Sequence, residues 1–508
     1  MSLDSFYITT PIFYVNDVPH IGHAYTSIAC DVISRFMRLN GRDVKFLTGT
    51  DEHGQKVENS AAMAGVFPQE FTNKNSERFL QMMQVLNISN DDFIRTTELR
   101  HKEAVQSLWQ TLQANGSIYL SKYAGWYSIR DEAFYSEKEL TDDGLAPTGA
   151  PVEWVEEPSY FFALSKWQDK LLDYYHKNPD FIIPKSRRNE VISFVEGGLT
   201  DLSISRTSFT WGINVPESED HIIYVWLDAL TNYISALGYP NKEQDYKRFW
   251  PASAHVIGKD ILRFHAVYWP AFLMAAGLEL PKSIVAHGWW TNEGQKISKS
   301  LGNTIDPFEL VDNFGIDQVR YFLMREITFG NDGNFAKDKL IERNNAELSN
   351  KIGNLLQRTT AFVYKNCNQM IPEINHINNI YADPIFTELA VLQEVNVKAM
   401  QNFQINQVLD NILHLTDKAN SYIDTAAPWA LKKTDIRKMN EILYSLLEIL
   451  RHLSIMLQPF IPDGANTMLN QLGVPKDERM FRHLNKEFAL TPLSAIKLPV
   501  PVFPRLDI

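Results

Sequence analysis

Cysteine is nearly missing from this chain: among 508 residues there are only Cys30 and Cys367. That excludes a disulfide framework and a zinc site built from several thiolates, and it fits a reduced, cytoplasmic setting. Long apolar runs are missing too, since a membrane helix needs about 18 or more such residues. The nearest stretch, "FHAVYWPAFLMAAGLEL", is interrupted by His265, Pro270 and Glu279 and reads as a buried helix. Positive charge is not in excess. A formal net charge of −12 argues against a protein that coats nucleic acid indiscriminately, while leaving room for short basic patches. The first residues form neither an Arg-rich amphipathic leader nor a signal peptide, and neither repeats nor low-complexity segments occur. What is there, 44% hydrophobic and 22% charged, is close to globular averages. At about 100–200 residues per domain, the length predicts three or four units.

"SFYITTPIFYV" from Ser5 is β-branched and aromatic, and reads as a strand. From Ala24 the positions Ile28, Val32 and Phe36 keep helical spacing, and "DVKFLTGTDEHG" supplies a second strand ending in a polar loop. Strand, helix, strand is a βαβ unit, whose ligands lie at the carboxyl ends of parallel strands. His20, His23 and Asp51 fall at that edge. From about Gln113 to His221 short segments and turns such as "DDG" and "APTGAP" predict an inserted domain of mixed structure. "IIYVWLDALTNYI" and "SAHVIGKDILRFHAVYWPAFL" then restore a strand-then-helix pattern, as if the first sheet resumed. Beyond Lys337 the chain reads as helical. Two stripes, Val408–Ile412–Leu415–Ala419–Tyr422 and Ile442–Leu446–Ile449–Leu453–Met456, predict helices packed in a bundle.

Two short motifs carry chemistry. "PHIGH" places His20 and His23 three apart at the mouth of a helix, where free N–H groups and the helix dipole favour phosphate. Both imidazoles can face one phosphate group, and Gly22 between them lets a flat base approach the backbone. Alone, the motif is equally a pair of surface or core histidines. "KISKS", Lys296 to Ser300, is a loop with two lysines three apart between Gly294 and Gly302. It is either a solvated charge cluster or a flap that closes on a triphosphate, bringing ammonium groups to charge that develops at phosphorus.

Together the motifs resemble the HIGH and KMSKS signatures of class I aminoacyl-tRNA synthetases, with Ile297 replacing the usual methionine. The segments "TTPIFYVNDVPHIGHAY", "FLTGTDEHG", "YVWLDALTNY", "GKDILRFHAVYWPA", "HGWWTNEGQKISKS" and "PVFPRLDI" follow in the order of the methionyl-tRNA synthetase family. The resemblance spans essentially the whole chain. It implies an α/β fold with a Rossmann-type parallel-sheet catalytic domain, a connective insertion and an α-helical bundle that binds the anticodon. The implied boundaries are 1–112 and 222–289 for the two catalytic halves, 113–221 for the insertion, 290–345 for the loop and stem-contact region and 346–508 for the bundle.

By the same resemblance His20, Gly22 and His23 bind ATP and stabilise the pentacovalent phosphate, with Tyr14 and Gly258 beside the nucleotide. Lys299, assisted by Lys296, neutralises the leaving pyrophosphate, and Asp260 holds the ribose. Asp51 meets the α-ammonium group of methionine. The amino-acid pocket is implied at Ile12, Tyr14, Trp226, Ala229, Leu230, Tyr233, Ile261, Phe264, His265 and Trp269. A thioether offers only a weak acceptor, so shape and sulfur–aromatic contact must select it. Tyr233 and His265 can hydrogen-bond each other and present a donor to the sulfur.

The family's insertion often carries Cys-x-x-Cys zinc knuckles. Here the two expected positions hold Ser128 and Asp131, and "LAPTGAP" lacks the second pair, so no structural zinc is expected. For the anticodon the resemblance implies Asn350, Asn354 and Arg358, four apart on one helical stripe, able to read or stack on exposed bases. The expected partners are methionine, ATP with its Mg²⁺ and tRNA(Met), with no membrane; a monomer is expected. The alternatives are a class I synthetase for another amino acid and an inactive, synthetase-derived tRNA-binding protein.

Overall fold

The computed structural model describes residues 4–16, 18–131, 133–135, 137–241, 244–297 and 302–507. Its centre is a parallel sheet of seven strands: β1 (Ser5–Thr9), β2 (Phe13–Tyr14), β3 (Asp43–Asp51), β4 (Asp92–Arg95), β5 (Ile182–Ile183), β6 (Ala254–Gly258) and β7 (Ile284–His287). They run β4–β3–β1–β6–β7–β5, and β2 pairs with the carboxyl end of β3. Residues distant in sequence meet at the centre, where Ile8 and Thr9 of β1 pair with Ala254 and His255 of β6. Apolar residues of the central strands β1 and β6 are almost wholly buried, as expected for a sheet covered on both faces.

Two expectations about the sheet need correction. The strand before "WLDAL", Ser218–Ile223, does not resume it: it is the middle strand of a separate three-stranded antiparallel sheet. Conversely β5, from the stretch read as insertion, returns to pair with β7 at the sheet's edge. The rest of that stretch is dominated by a hairpin, Ile118–Ser128 against Glu153–Phe162, in a four-stranded sheet.

Three helices position the site: α1 (Ile21–Leu39), α2 (Leu99–Ala114) and α3 (Val225–Leu230). The bundle follows, with α4 (Ile316–Arg325), α5 (Asn354–Asn366), α6 (Ile405–Ala426) and α7 (Ile436–Leu457). Of the predicted α6 stripe, Val408, Ile412, Leu415 and Ala419 are buried. Helix α7 differs from its predicted single stripe, because every residue from Ile442 to Leu457 is buried. It is the central helix of the bundle, and its Glu448, Arg451 and His452 satisfy one another inside. The chain beyond Gly473 is largely irregular rather than helical. It is fastened back onto the bundle where Phe503 lies against Gly464, a position at which any Cβ would strike its ring at 2.5 Å.

Candidate functional site

Helix α1 follows β2 after the connection 15–20, and its first turn explains the paired histidines. His20 is the N-cap: its Nδ1 accepts from Gly22 N at 3.1 Å, and His20 N donates to His23 Nδ1 at 3.2 Å. The rings lie 3.9 Å apart. This is a reciprocal cap of the kind Ser and Glu usually make, built from two imidazoles. A side chain at Gly22 would meet His20 Cε1 at 2.9 Å, so the glycine is what lets the His20 ring fold over the helix mouth. Burial, and then the neighbouring His20, push the pKa of His23 well below the usual histidine value. Its neutral ring accepts at Nδ1, so the proton sits on Nε2. The helix mouth therefore offers a neutral N–H donor, held between Phe13 and Phe79 at 4.9 and 5.1 Å.

That mouth opens into a cleft of about 1090 Å³ at the carboxyl edge of the sheet. The cleft gathers the nominated nucleotide positions Tyr14, His20, Gly22, His23, Gly258 and Asp260. It also gathers Ile12, Asp51, Trp226, Ala229, Leu230, Tyr233, Ile261, Phe264 and His265. Trp269 alone of the nominated amino-acid pocket is not on the wall. It is fully buried behind Tyr233, their ring centroids 6.1 Å apart, and supports the pocket from the core. Lys296 is placed by its backbone in a two-residue strand, Gln295–Lys296, against Trp290–Asn292. Lys299 lies outside the described residues.

One wall is aromatic. Trp226 and Phe264 stack at 3.6 Å with planes 8° apart. Phe264–Tyr268 is a turn widened to π spacing, and Trp269–Ala275 continues the helix. Pro270 has no N–H for the carbonyl of Ala266, and the Tyr175 hydroxyl donates to it instead at 2.6 Å. Phe264 and His265, the first residues of that widened turn, both line the cleft.

Behind that wall Tyr233 Oη lies 2.7 Å from His265 Nε2, and His265 Nδ1 lies 2.9 Å from Ile261 O. Burial takes the pKa of His265 down to about 4, so the ring is neutral at pH 7. A carbonyl can only accept, so Nδ1 carries the proton and Nε2 accepts from Tyr233. The donor expected for a thioether is thus committed within the pair. The pocket faces a ligand with aromatic surface and hydroxyl lone pairs.

The sequence reading missed several residues that hold this wall. Trp289 donates its indole N–H to the nominated Asp260 at 3.0 Å, and Lys259 lies over the same indole at 4.3 Å. Glu52, beside Asp51, is gripped by Arg95 through two bonds of 2.6 and 3.0 Å and by Thr97 at 2.6 Å. Asp228, inside the helix that carries Trp226, is buried between His53 at 2.7 Å and His101 at 2.8 Å. Burial alone raises its pKa, but the two histidines outweigh that and hold it at about 2. A lone Asp within apolar "VWLDAL" was the available signal.

In the bundle, Asn350 and Asn354 are exposed on the helix that has π spacing over Asn344–Gly353 and then becomes α5. Arg358 bonds to Asp424 at 2.6 Å and lies 5.4 Å from the ring of Trp429, whose indole is 46% exposed. An exposed indole beside a guanidinium is a platform for an unpaired base. The sequence reading did not single out Trp429; its signal was a tryptophan directly after the proline that starts a short helix, Pro428–Leu431.

A parallel sheet, a histidine-capped helix mouth at its carboxyl edge and a helical bundle after it are the architecture of the class I tRNA synthetases. Comparison with known proteins specifies which. The family described as tRNA synthetases class I (M) matches residues 6–148 and 138–360, and the anticodon binding domain of methionyl tRNA ligase matches 380–506. The chain belongs to the methionyl-tRNA synthetase family. It is 66% identical to the methionine–tRNA ligase of Rickettsia felis over 506 residues, covering 99% of each chain. The ligase of Brucella suis is 52% identical over 513 residues, covering 99% of this chain and 98% of its own. Mycobacterium tuberculosis methionyl-tRNA synthetase in complex with methionyl-adenylate superposes with a TM-score of 0.96 at 47% identity, over 99% of this chain and 100% of that one. The apo form of that enzyme gives 0.89.

Proposed function

We infer that this chain ligates methionine to tRNA(Met). A carboxylate oxygen of methionine attacks the α-phosphorus of ATP, the bond to the β,γ-phosphates breaks, and methionyl-adenylate and pyrophosphate result. A hydroxyl of the terminal tRNA adenosine, the 2′ in this class, then attacks the carbonyl and AMP leaves. The observation that carries the reading is the single cleft joining the His20–His23 helix mouth, Asp51 and the Trp226–Phe264 wall. In this reading His20 and His23 donate to phosphate oxygens, Lys299 and Lys296 take the pyrophosphate charge, and Asp260 holds the ribose. Asp51 anchors the ammonium group. Asn350, Asn354 and Arg358, with Trp429, meet the anticodon.

Among the described residues no three His, Cys, Asp or Glu side chains converge as a metal cage. Mg²⁺ is accordingly read as arriving on the triphosphate, which supplies the hard oxygens it prefers. Ser128 and Asp131 do not suit zinc. Asp131 accepts from the hydroxyls of Tyr135 and Thr148, and its backbone N–H donates to Ser128 Oγ at 3.3 Å. A carboxylate and hydroxyls are a poor set for a metal that favours thiolate and imidazole in such sites. No described helix is long and apolar enough to cross a membrane. We read the protein as a cytoplasmic monomer.

The test is amino-acid-dependent pyrophosphate exchange with each standard amino acid. Strong exchange with methionine and much weaker exchange with leucine and isoleucine is expected. Equal exchange with leucine would overturn the assignment, and no exchange with any amino acid would favour an inactive tRNA-binding protein.

A further inference from the structure

An amino-acid site measures length. One end of the substrate is pinned by the group that meets its ammonium, and the other fills a pocket, so the span between the two sets which side chain fits. Here the two ends come from different elements. Asp51 closes strand β3, while α3 supplies Trp226, Ala229 and Leu230. On a helix these three share a broad face, and Asp228 points inward from another.

Asp228 is fully buried, and each of its carboxylate oxygens is held by a different histidine. Oδ2 lies 2.7 Å from His53 Nδ1 and Oδ1 lies 2.8 Å from His101 Nε2. His101 is itself seated by Ser235 Oγ at 2.9 Å. His53 stands two residues after Asp51 in the same short loop. Around it the loop is fixed from other directions: Arg95 grips Glu52, the Trp211 indole N–H donates to Glu52 O at 2.6 Å, and Trp211 O accepts from Gly54 N at 3.0 Å. The His53–Asp228 bond runs directly from this loop to α3. We propose that Asp228, clamped between His53 and His101, is a positioning residue that sets the span between Asp51 and the aromatic pocket, and with it the length of side chain the site accepts. The proposal rests on Asp51 as the ammonium anchor.

The clamp is suited to that task because it is stiff. Both partners of each bond are buried, and hydrogen bonds to an ionised carboxylate are shorter and stronger than neutral ones. Buried away from the cleft, Asp228 cannot contact substrate, so its influence must pass through the elements it joins. Asp228→Asn keeps the volume but removes the charge and turns one acceptor into a donor, so the histidine facing the amide must switch tautomer to keep its bond, or that bond lengthens. His53→Gln loosens the same link from the loop side and leaves Asp228 bonded to His101, which guards against loss of fold.

The experiment measures pyrophosphate exchange by the purified full-length chain with methionine, S-methylcysteine (one methylene shorter) and ethionine (one longer). Asp228→Asn, His53→Gln and Asp51→Asn are compared with the parent, and folding is checked by circular dichroism. One methylene is worth about 10- to 200-fold in such a pocket. The expectation is that Asp228→Asn and His53→Gln raise KM for methionine about tenfold, leave KM for ATP nearly unchanged and lower the preference for methionine over both analogues at least about fivefold. A role in stability alone would reduce rates with all three substrates in proportion and keep the preference, and that result overturns the proposal. Should Asp51→Asn leave KM for methionine unchanged, the anchor reading fails and the proposal with it. A raised KM in Asp51→Asn beside an intact preference in both clamp variants refutes the clamp alone.

Discussion

Arg320 of α4 donates to Asp31 of α1 at 2.6 Å, with both side chains wholly out of solvent. The guanidinium also donates to Leu86 O at 3.0 Å and Pro459 O at 2.9 Å, while the other Asp31 oxygen takes the N–H and hydroxyl of Ser89. The helix that begins with His20 and His23 is thereby tied to the turn that ends α7. Removing one partner of a buried ion pair costs about 3–5 kcal/mol when the other is left uncompensated; Asp31 would keep Arg35 Nε at 2.7 Å, so the lower end of that range is expected. Arg320→Met should therefore lower stability to urea by about that amount, with adenylate formation and tRNA charging falling together as folded protein is lost. A loss under about 1 kcal/mol would show that Arg35 and Ser89 hold Asp31 well enough without Arg320.

His23→Ala and Lys299→Ala address the chemical step. Donors placed on transition-state charge typically contribute about 10²–10³ in rate. Each variant should lose that much kcat in pyrophosphate exchange and keep KM for methionine. A weaker KM at unchanged kcat would assign these residues to ground-state binding instead.

Tyr233→Phe tests where the hydroxyl proton goes. If it is committed to His265, the change leaves a buried imidazole nitrogen unsatisfied, which costs about 1–3 kcal/mol of stability. The selectivity for methionine over norleucine, in which CH₂ replaces sulfur, should then be unaltered. A collapse of that ratio would mean that Tyr233 donates to the thioether when substrate is bound.

Acid should destabilise the protein in two stages. Burial lowers the pKa of His265 to about 4, and it also depresses His23, His255, His287 and His452. The unfolded chain takes up those protons near pH 6.5 and the folded chain does not, so the stability these histidines carry is complete above about 6.5. It is lost as pH falls below that, for His265 down to about 4, at about 1.4 kcal/mol per unit for each affected histidine. Asp228, at about 2, belongs to a lower window: its contribution is present above about 3.8 and lost as pH falls through 2. The thermal midpoint should drop clearly between pH 7.5 and 5.5. A flat profile over that range would contradict the neutral state assigned to the buried histidines.

Arg358→Ala and Trp429→Ala should reduce tRNA charging by about tenfold or more, since stacking on an unpaired base is worth roughly 1–3 kcal/mol. Pyrophosphate exchange on the same preparations should be unchanged. Charging at the parental rate would place anticodon recognition elsewhere on the bundle.

Local patterns carried much of this site into view, and pairing at a distance hid the rest. His20 and His23, three apart at a helix start, are a short-range signal that survives folding unchanged. The aromatic positions of "YVWLDALTNY" came into view only through the family resemblance, since local pattern alone reads them as core. Trp269, implied by the resemblance, stands in the layer behind the wall, because one helix carries both the cleft-lining and the supporting aromatics. The strand Ser218–Ile223 looks like any other buried strand, and its sheet is decided by Ser205–Arg206 and Asn214–Val215, which carry no complementary local mark. Asp228 could be noticed as a polar residue among apolar ones, yet its partners His53 and His101 lie more than a hundred residues away. The direction of the Tyr233 proton was beyond sequence altogether, because it depends on a carbonyl one helical turn from His265.

The pairing of β1 with β6 also has a consequence for how the protein is made. A nascent chain grows at about 5–20 residues per second. Strand β1 leaves the ribosome early, but its neighbour, Ala254–Gly258, is translated on the order of tens of seconds afterwards at that pace. Until then β1 is an open strand edge, the kind of surface that recruits wrong partners. The intervening antiparallel hairpin is local and can fold while it waits. Strand β7 and the lysine loop emerge later still, so the order of synthesis makes the nucleotide site the last part of the catalytic sheet to be completed.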